Sequence, residues 1–295
     1  MNLHLALHYG QCFGVRDAVA LTRDQATARA EPLHVLGQLA HNPAVRADLA
    51  AVGARETALA DVPKLPPGSR VIISAHGVSQ RTRAELARRR LHVTDATCPL
   101  VHRAHQALRE LVAAGNRPAI IGQAGHVEVE GLRGDYPDAL VLLQDTDLER
   151  LPWQGQLGVV AQTTQPLPRV EALLQKVKAL RPRLRVTFRD TVCRPTKDRQ
   201  AALRELARRC EVVLVVGGRN SNNSRQLAST AETLGAAAYL VENAREIQAR
   251  WFEHAEDVGL TAGTSTPEAN VREVETKLRH IAAAKRRGLL LGCAR

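Results

Sequence analysis

The chain has 295 residues, of which 44% are hydrophobic and 24% charged. That length allows about two or three domains, and that composition excludes both disorder and collagen-like repeats. Its 41 Lys+Arg against 30 Asp+Glu leave a net charge of +11, which suits a polyanion: nucleic acid, a phosphorylated metabolite or an acidic protein.

Nucleic acid is disfavoured, because aromatic residues are only 3% and the basic ones are spread over 81–90, 181–185, 204–209 and 284–288. No apolar run approaches the ~20 residues of a bilayer span. The opening MNLHLALHYG has neither a basic leader nor a long apolar segment, so a soluble, cytoplasmic protein is expected.

Taken in chain order, the predicted elements repeat three times. LHLALHYGQC (3–12), LHVTDATC (91–98) and LRVTFRDTVC (184–193) are short apolar strands running through a polar turn into a cysteine. A helical pattern follows each cysteine: VRDAVALTRDQATAR, PLVHRAHQALRELVAAG and PTKDRQAALRELARR. A second strand and polar loop come next, in EPLHVLGQLAHN, RPAIIGQAGHVEVEG and CEVVLVVGGRNSNNS. From Cys12 to His41 is 29 residues, from Cys98 to His126 is 28, and from Cys193 to Ser221 is 28. A third strand ends in the loops holding His76, Thr163 and Ser265, which stand 64, 65 and 72 residues after their cysteines.

Strands alternating with amphipathic helices predict an α/β fold of three small βαβ-type domains with mostly parallel sheets. The expected boundaries are 1–97, 98–192 and 193–283, with a C-terminal tail at 284–295. Ligands of such sheets sit beyond the carboxyl ends of the strands. Three units around a pseudo-threefold axis would gather three thiols at the centre, ringed by six polar loops. Five cysteines in a chain with no visible signal peptide argue against a disulfide framework. Three thiolates with one vacant position suit either zinc with a labile water or an iron–sulfur cubane with one unligated iron. Cys210, at a helix end before a strand, is expected in the core, and Cys293 has no assigned role.

The ring around the thiols reads as a cradle for a multiply charged anion. His41 precedes Asn42-Pro43, an N-cap with proline at the first helical position. His76 follows a buried strand pattern, and His126 sits between a glycine turn and an acidic helix start. Ser221, Asn222, Asn223 and Ser224 open one helix and Ser265-Thr266-Pro267-Glu268 another, both phosphate-binding patterns. Glu128 is the single carboxylate in this ring, placed as a proton donor.

These segments resemble the LytB family, the 4-hydroxy-3-methylbut-2-enyl diphosphate reductases. The resemblance rests on CFGVRDAV (12–19), AHN (40–42), SAHGVS (74–79), DATCPLV (95–101), AGHVEVEG (124–131), AQTT (161–164), the stretch 190–200 ending in RQ, VVGGRNSNNS (215–224) and TAGTSTP (261–267). It implies a [4Fe–4S] cluster on Cys12, Cys98 and Cys193, with one open iron. It implies an allylic diphosphate bound by His41, His76, His126, Thr163, Ser221, Asn222, Asn223 and Ser265, with Glu128, Thr163 and His126 as catalytic residues. The implied reaction is a two-electron, two-proton reductive dehydroxylation to isopentenyl and dimethylallyl diphosphate, the last step of the methylerythritol phosphate route. An acidic ferredoxin or flavodoxin is the implied electron donor.

The chain departs from the family pattern at Gly10-Gln11 before the first cysteine, at Gln123, at Asn222, and at the basic Arg194-Pro195-Thr196-Lys197. None of these removes a cluster ligand or Glu128. Two other readings remain open at this point: a paralogue acting on a different allylic diphosphate, and a non-catalytic cluster-based redox or iron sensor.

Overall fold

Twelve strands and nine α-helices alternate along residues 1–287, the part of the chain that the computed structural model describes. They begin β1 (Asn2–Leu5), α1 (Phe13–Thr27), β2 (Leu33–Leu36), α2 (Pro43–Ala51), β3 (Ala54–Thr57), β4 (Arg70–Ile73), α3 (Gln80–Arg88) and β5 (His92–Asp95). The middle of the chain forms α4 (Pro99–Ala113), β6 (Arg117–Ile121), α5 (Val127–Arg133), β7 (Leu140–Leu142), β8 (Gly155–Ala161), α6 (Leu167–Leu180) and β9 (Leu184–Arg189). The remainder forms α7 (Arg194–Ala207), β10 (Val212–Val216), α8 (Asn222–Thr233), β11 (Ala237–Val241), β12 (Asp257–Ala262) and α9 (Glu268–Arg286).

The strands build three four-stranded sheets, ordered β1-β12-β10-β11, β3-β2-β4-β5 and β7-β6-β8-β9. Every pairing in them is parallel. One plan recurs in each sheet. Two central strands (β2 and β4, β6 and β8, β10 and β12) are flanked by a short outer strand (β3, β7, β11) and by the strand that leads to a cysteine (β5, β9, β1). The sequence VVLVV makes β10 buried at every position, the pattern of a parallel strand covered on both faces. Helices supply the cover through apolar stripes at helical spacing: Val101, Ala104, Leu108 and Leu111 on α4, and Val271, Val274, Leu278 and Ile281 on α9.

Three features differ from the sequence reading. β1 belongs to the sheet of the last repeat rather than to the segment 1–97, pairing from Asn2↔Asp257 to Leu5↔Leu260. Alternation within LHLAL specifies a strand but not its partner; Leu3 and Leu5 find theirs in the core that holds Val258 and Leu260. The outer strands β3, β7 and β11, three to five residues each, are not among the elements read from the sequence. Helix α9 runs to Arg286, into the segment read as a tail, and Cys293 lies outside the described residues.

The chain divides into two compact units. The terminal unit comprises Met1–Arg16, Ala40–Ala47 and the chain from Arg194 onward, and so contains the first sheet. The middle unit, Asp17–Leu39 and Asp48–Cys193, contains the other two. Within it Asp135, just after α5, accepts the amide N–H groups of Gln80 and Arg81 at the start of α3 (2.9 and 3.0 Å), tying its two sheets together. Among the described residues no helix is long and apolar enough to cross a membrane.

Candidate active site

Cys12, Cys98 and Cys193 occupy one structural position three times. Each immediately precedes a helix, α1, α4 and α7 respectively. Each backbone N–H donates to a carbonyl just beyond the neighbouring central strand: Cys12 to Thr264 at 2.9 Å, Cys98 to Ala75 at 3.0 Å and Cys193 to Thr163 at 2.9 Å. None of the three is in a disulfide among the described residues, and all are only partly buried. Each of these cysteines stands at the positive end of a helix dipole. Cys210 differs: it is buried among Leu206, Val213 and Leu227, and that burial pushes its thiol up to about 11. The core role expected for it holds.

In the middle unit the candidate residues form a continuous chain of contacts. The amide bond from Cys98 places it against Ala75, next to His76. The His76 and His126 rings meet edge to face, with centroids 5.6 Å apart. His126 caps α5, its Nδ1 accepting the Glu128 N–H at 3.2 Å. With Nδ1 accepting, a neutral His126 ring carries its proton on Nε2. Glu128 accepts from Thr163 twice, from its N–H at 2.6 Å and from its hydroxyl at 3.0 Å. The Thr163 carbonyl in turn receives the Cys193 amide. Strand order reverses between β6 and β8, so the loops carrying His126 and Thr163 flank the crevice where such sheets bind ligands.

Glu128 is 2% exposed. Burial pushes its carboxyl up to about 7, against the opposing pull of the two Thr163 hydrogen bonds. An acid so placed holds a proton near neutral pH and can release it.

The terminal unit assembles the remaining candidates. Asn42 caps α2 as expected, its Oδ1 accepting the N–H groups of Ala44 and Val45. The His41 carbonyl receives the Ser265 hydroxyl at 3.3 Å. A Cβ on Gly218 would lie 2.4 Å from that same carbonyl oxygen, so only glycine lets the β10–α8 loop come this close to His41. Ser221 caps α8 through the Ser224 N–H. Asn222 is 3% exposed, as is Asn223, whose side-chain nitrogen has no hydrogen-bond partner among the described residues. A buried donor left unpaired costs free energy until a ligand takes it. It stands at the N-terminal, positive end of α8.

Sequence reasoning passed over Gln162, whose side chain is fully buried. Its Oε1 accepts the Gln123 N–H at 3.0 Å and so holds the glycine turn that leads to His126. Its only sequence signal was its place in AQTT between a buried strand and Thr163.

Three parallel four-stranded sheets, each delivering a cysteine to a helix start and polar loops to its carboxyl edge, define an α/β protein built on one plan used three times. The chain matches the LytB protein family over residues 3–279 and belongs to it. It is 38% identical to the 4-hydroxy-3-methylbut-2-enyl diphosphate reductase of Psychrobacter arcticus over 285 residues, 94% of this chain and 89% of that protein. It is also 38% identical to the reductase of the same name from Hahella chejuensis, covering 95% and 90% of the two chains. Its fold superposes on the Plasmodium falciparum E-1-hydroxy-2-methyl-but-2-enyl-4-diphosphate reductase with a TM-score of 0.87, at 27% identity over 93% of this chain and 86% of that one. A second solved structure, an (E)-4-hydroxy-3-methyl-but-2-enyl diphosphate reductase described as the terminal enzyme of the non-mevalonate pathway, gives 0.67 at 30% identity, covering 95% of this chain and all of that one.

Proposed function

We propose that this chain reduces (E)-4-hydroxy-3-methylbut-2-enyl diphosphate, removing its hydroxyl with two electrons and two protons to give isopentenyl and dimethylallyl diphosphate and one water. The observation that carries this reading is the threefold-equivalent setting of Cys12, Cys98 and Cys193, each at a helix start with the same amide bond. Three such thiolates fit a [4Fe–4S] cluster with one iron open, and we assign them as its ligands. When bound, that cluster supplies the electrons and a Lewis-acidic position for the leaving oxygen.

The rest of the chemistry belongs to side chains. Glu128 gives the proton that lets the hydroxyl depart as water, and its burial keeps that proton in place near neutral pH. Thr163 orients Glu128 through both of its carboxyl oxygens. The diphosphate is held by His41, His76 and His126, by Ser221, Asn222 and Asn223 at the α8 N-terminus, and by Ser265. The partner that delivers electrons is an acidic ferredoxin or flavodoxin, attracted by the net charge of +11, and the enzyme works in the cytoplasm.

Anaerobic purification followed by iron and sulfide quantification tests the reading. Wild type is expected to hold about four irons and turn over the substrate with dithionite. Cys98→Ser is expected to lose most of its iron and its activity. Full iron content in Cys98→Ser, or wild type without turnover, sinks it.

A further inference from the structure

The three cysteine turns are built unequally. Two residues (96–97) separate the end of β5 from Cys98, and three (190–192) separate the end of β9 from Cys193. Both short turns pin themselves: Asp95 accepts the Thr97 N–H at 3.0 Å, and Asp190 accepts the Val192 N–H at 3.0 Å. Six residues (6–11) separate the end of β1 from Cys12, and they contain no aspartate. The turn also passes through Gly10 at φ +70°, a conformation that glycine adopts without strain. A longer connection has more conformations to lose, so holding its cysteine in one place costs more unless something outside the turn restrains it.

The Ala6 and Gly10 N–H groups donate to the Leu260 and Ala262 carbonyls (2.9 and 3.2 Å), and Arg199 adds the side-chain restraint on the same stretch. It lies on α7 and is 7% exposed. Its Nε and one terminal nitrogen both donate to the Gly10 carbonyl (3.1 and 2.5 Å), and the same terminal nitrogen reaches the Tyr9 carbonyl at 3.5 Å. The other terminal nitrogen donates to the Pro195 carbonyl, one turn back on α7, at 2.9 Å. A planar fork can bridge the turn and the helix simultaneously, as an ammonium cannot. The equivalent positions, six residues after Cys12 and Cys98, are the buried Ala18 and Ala104. The turn before Cys98 has an arginine of its own, Arg83 on α3, but that fork grips the side chains of Asp95 (2.7 Å) and Thr97 (3.2 Å), whereas Arg199 grips the backbone of its turn.

We propose that Arg199 is a positioning residue for Cys12. It fastens the Tyr9–Gly10 backbone to the first turn of α7, the helix that starts directly after Cys193, and so holds Cys12 ready for the cluster. This rests on the reading of Cys12 as a cluster ligand. It goes beyond that reading in assigning a cationic strut to the backbone of the Cys12 turn.

The test is hydrogen–deuterium exchange on the full-length reconstituted protein, before and after chelation of its iron, for wild type, Arg199→Lys and Arg199→Gln. In the chelated protein, segment 6–12 of Arg199→Gln is expected to exchange about tenfold faster than wild type, while 94–98 and 189–193 stay unchanged. Arg199→Lys, which keeps the charge but not the fork, is expected to fall between them. In the loaded protein, iron loss to chelator is expected to rise about fivefold and the paramagnetic resonance signal of the reduced cluster to change shape, with Lys again intermediate. Exchange of 6–12 within about twofold of wild type overturns the proposal, as does equal acceleration of all three segments, which marks general destabilisation. An unchanged resonance signal and unchanged iron loss also overturn it. Iron content of Cys12→Ser checks the ligand assignment by itself: full loading there removes that assignment, while the exchange result still decides whether Arg199 fixes the turn.

Discussion

The Thr163 amide lies 2.6 Å from Glu128 Oε1 and its hydroxyl 3.0 Å from Oε2, so one residue holds both oxygens of a carboxyl group buried at 2% exposure. Two opposed effects meet in this pair. Desolvation favours the protonated acid, and hydrogen bonds donated to its oxygens favour the carboxylate. Desolvation is the larger, so the group rises to about 7 rather than falling.

Replacing the acid isolates its role. Glu128→Gln keeps the shape and loses the transferable proton, so turnover with dithionite is expected to fall about 10²-fold or more while substrate affinity changes by less than about threefold. A full-rate Glu128→Gln enzyme removes this residue from the proton path.

The pH dependence of activity follows from the same pair. An obligatory acid gives a rate that declines as pH rises through its pKa. Thr163→Val removes the hydroxyl bond that favours the carboxylate, so the declining limb is expected to move to higher pH. A limb displaced to lower pH contradicts the balance of burial over hydrogen bonding at this carboxyl.

Stability carries a matching signature in the metal-free protein. The folded chain keeps the Glu128 proton up to about pH 7, whereas the unfolded chain releases it near the ordinary value of 4.5. Folding therefore binds a proton between those pH values, and unfolding free energy falls as pH rises across them, by up to about 3 kcal/mol. Urea denaturation of wild type and Glu128→Gln from pH 4.5 to 7.5 measures the difference, and parallel profiles exclude it.

Gly218 tests the anion cradle. Alanine there puts a carbon 2.4 Å from the His41 carbonyl, a clash that only backbone movement can relieve. Gly218→Ala is expected to weaken inorganic diphosphate binding, measured by titration calorimetry, about tenfold. Unaltered affinity dissociates this contact from the ligand site.

Cys210→Ser provides the contrast to the three proposed ligand positions. It is expected to retain wild-type iron content, since a thiol raised to about 11 by burial is not an anionic ligand at neutral pH. Its cost is in stability, about 1 kcal/mol for a hydroxyl placed among Leu206, Val213 and Leu227. Iron loss in this variant reassigns the ligand set.

Strand, turn, cysteine and helix were legible in the sequence because each is a local pattern: alternation in LHVTD, a cap at Asn42, an apolar stripe along α4. The repeated spacing from each cysteine to its two polar loops then located the candidate residues on strand ends. What local pattern cannot encode is the partner of an element. The same alternation would serve β1 beside β2 or beside β12, and only the hydrogen-bonding edge and core offered by β12 choose between them. For the same reason Gln162, an amide that accepts from the Gln123 backbone and the Gln165 side chain and donates to the Thr164 hydroxyl, carried no signal of its own. The rise of Glu128 to about 7 required knowing how much of it water reaches, and the grip of Arg199 on Gly10 joins residues 189 positions apart. The sequence by itself determined which chemistry the chain carries. Tertiary structure decided burial and long-range hydrogen bonding, the two quantities that set the protonation of its acid and the position of its first cysteine.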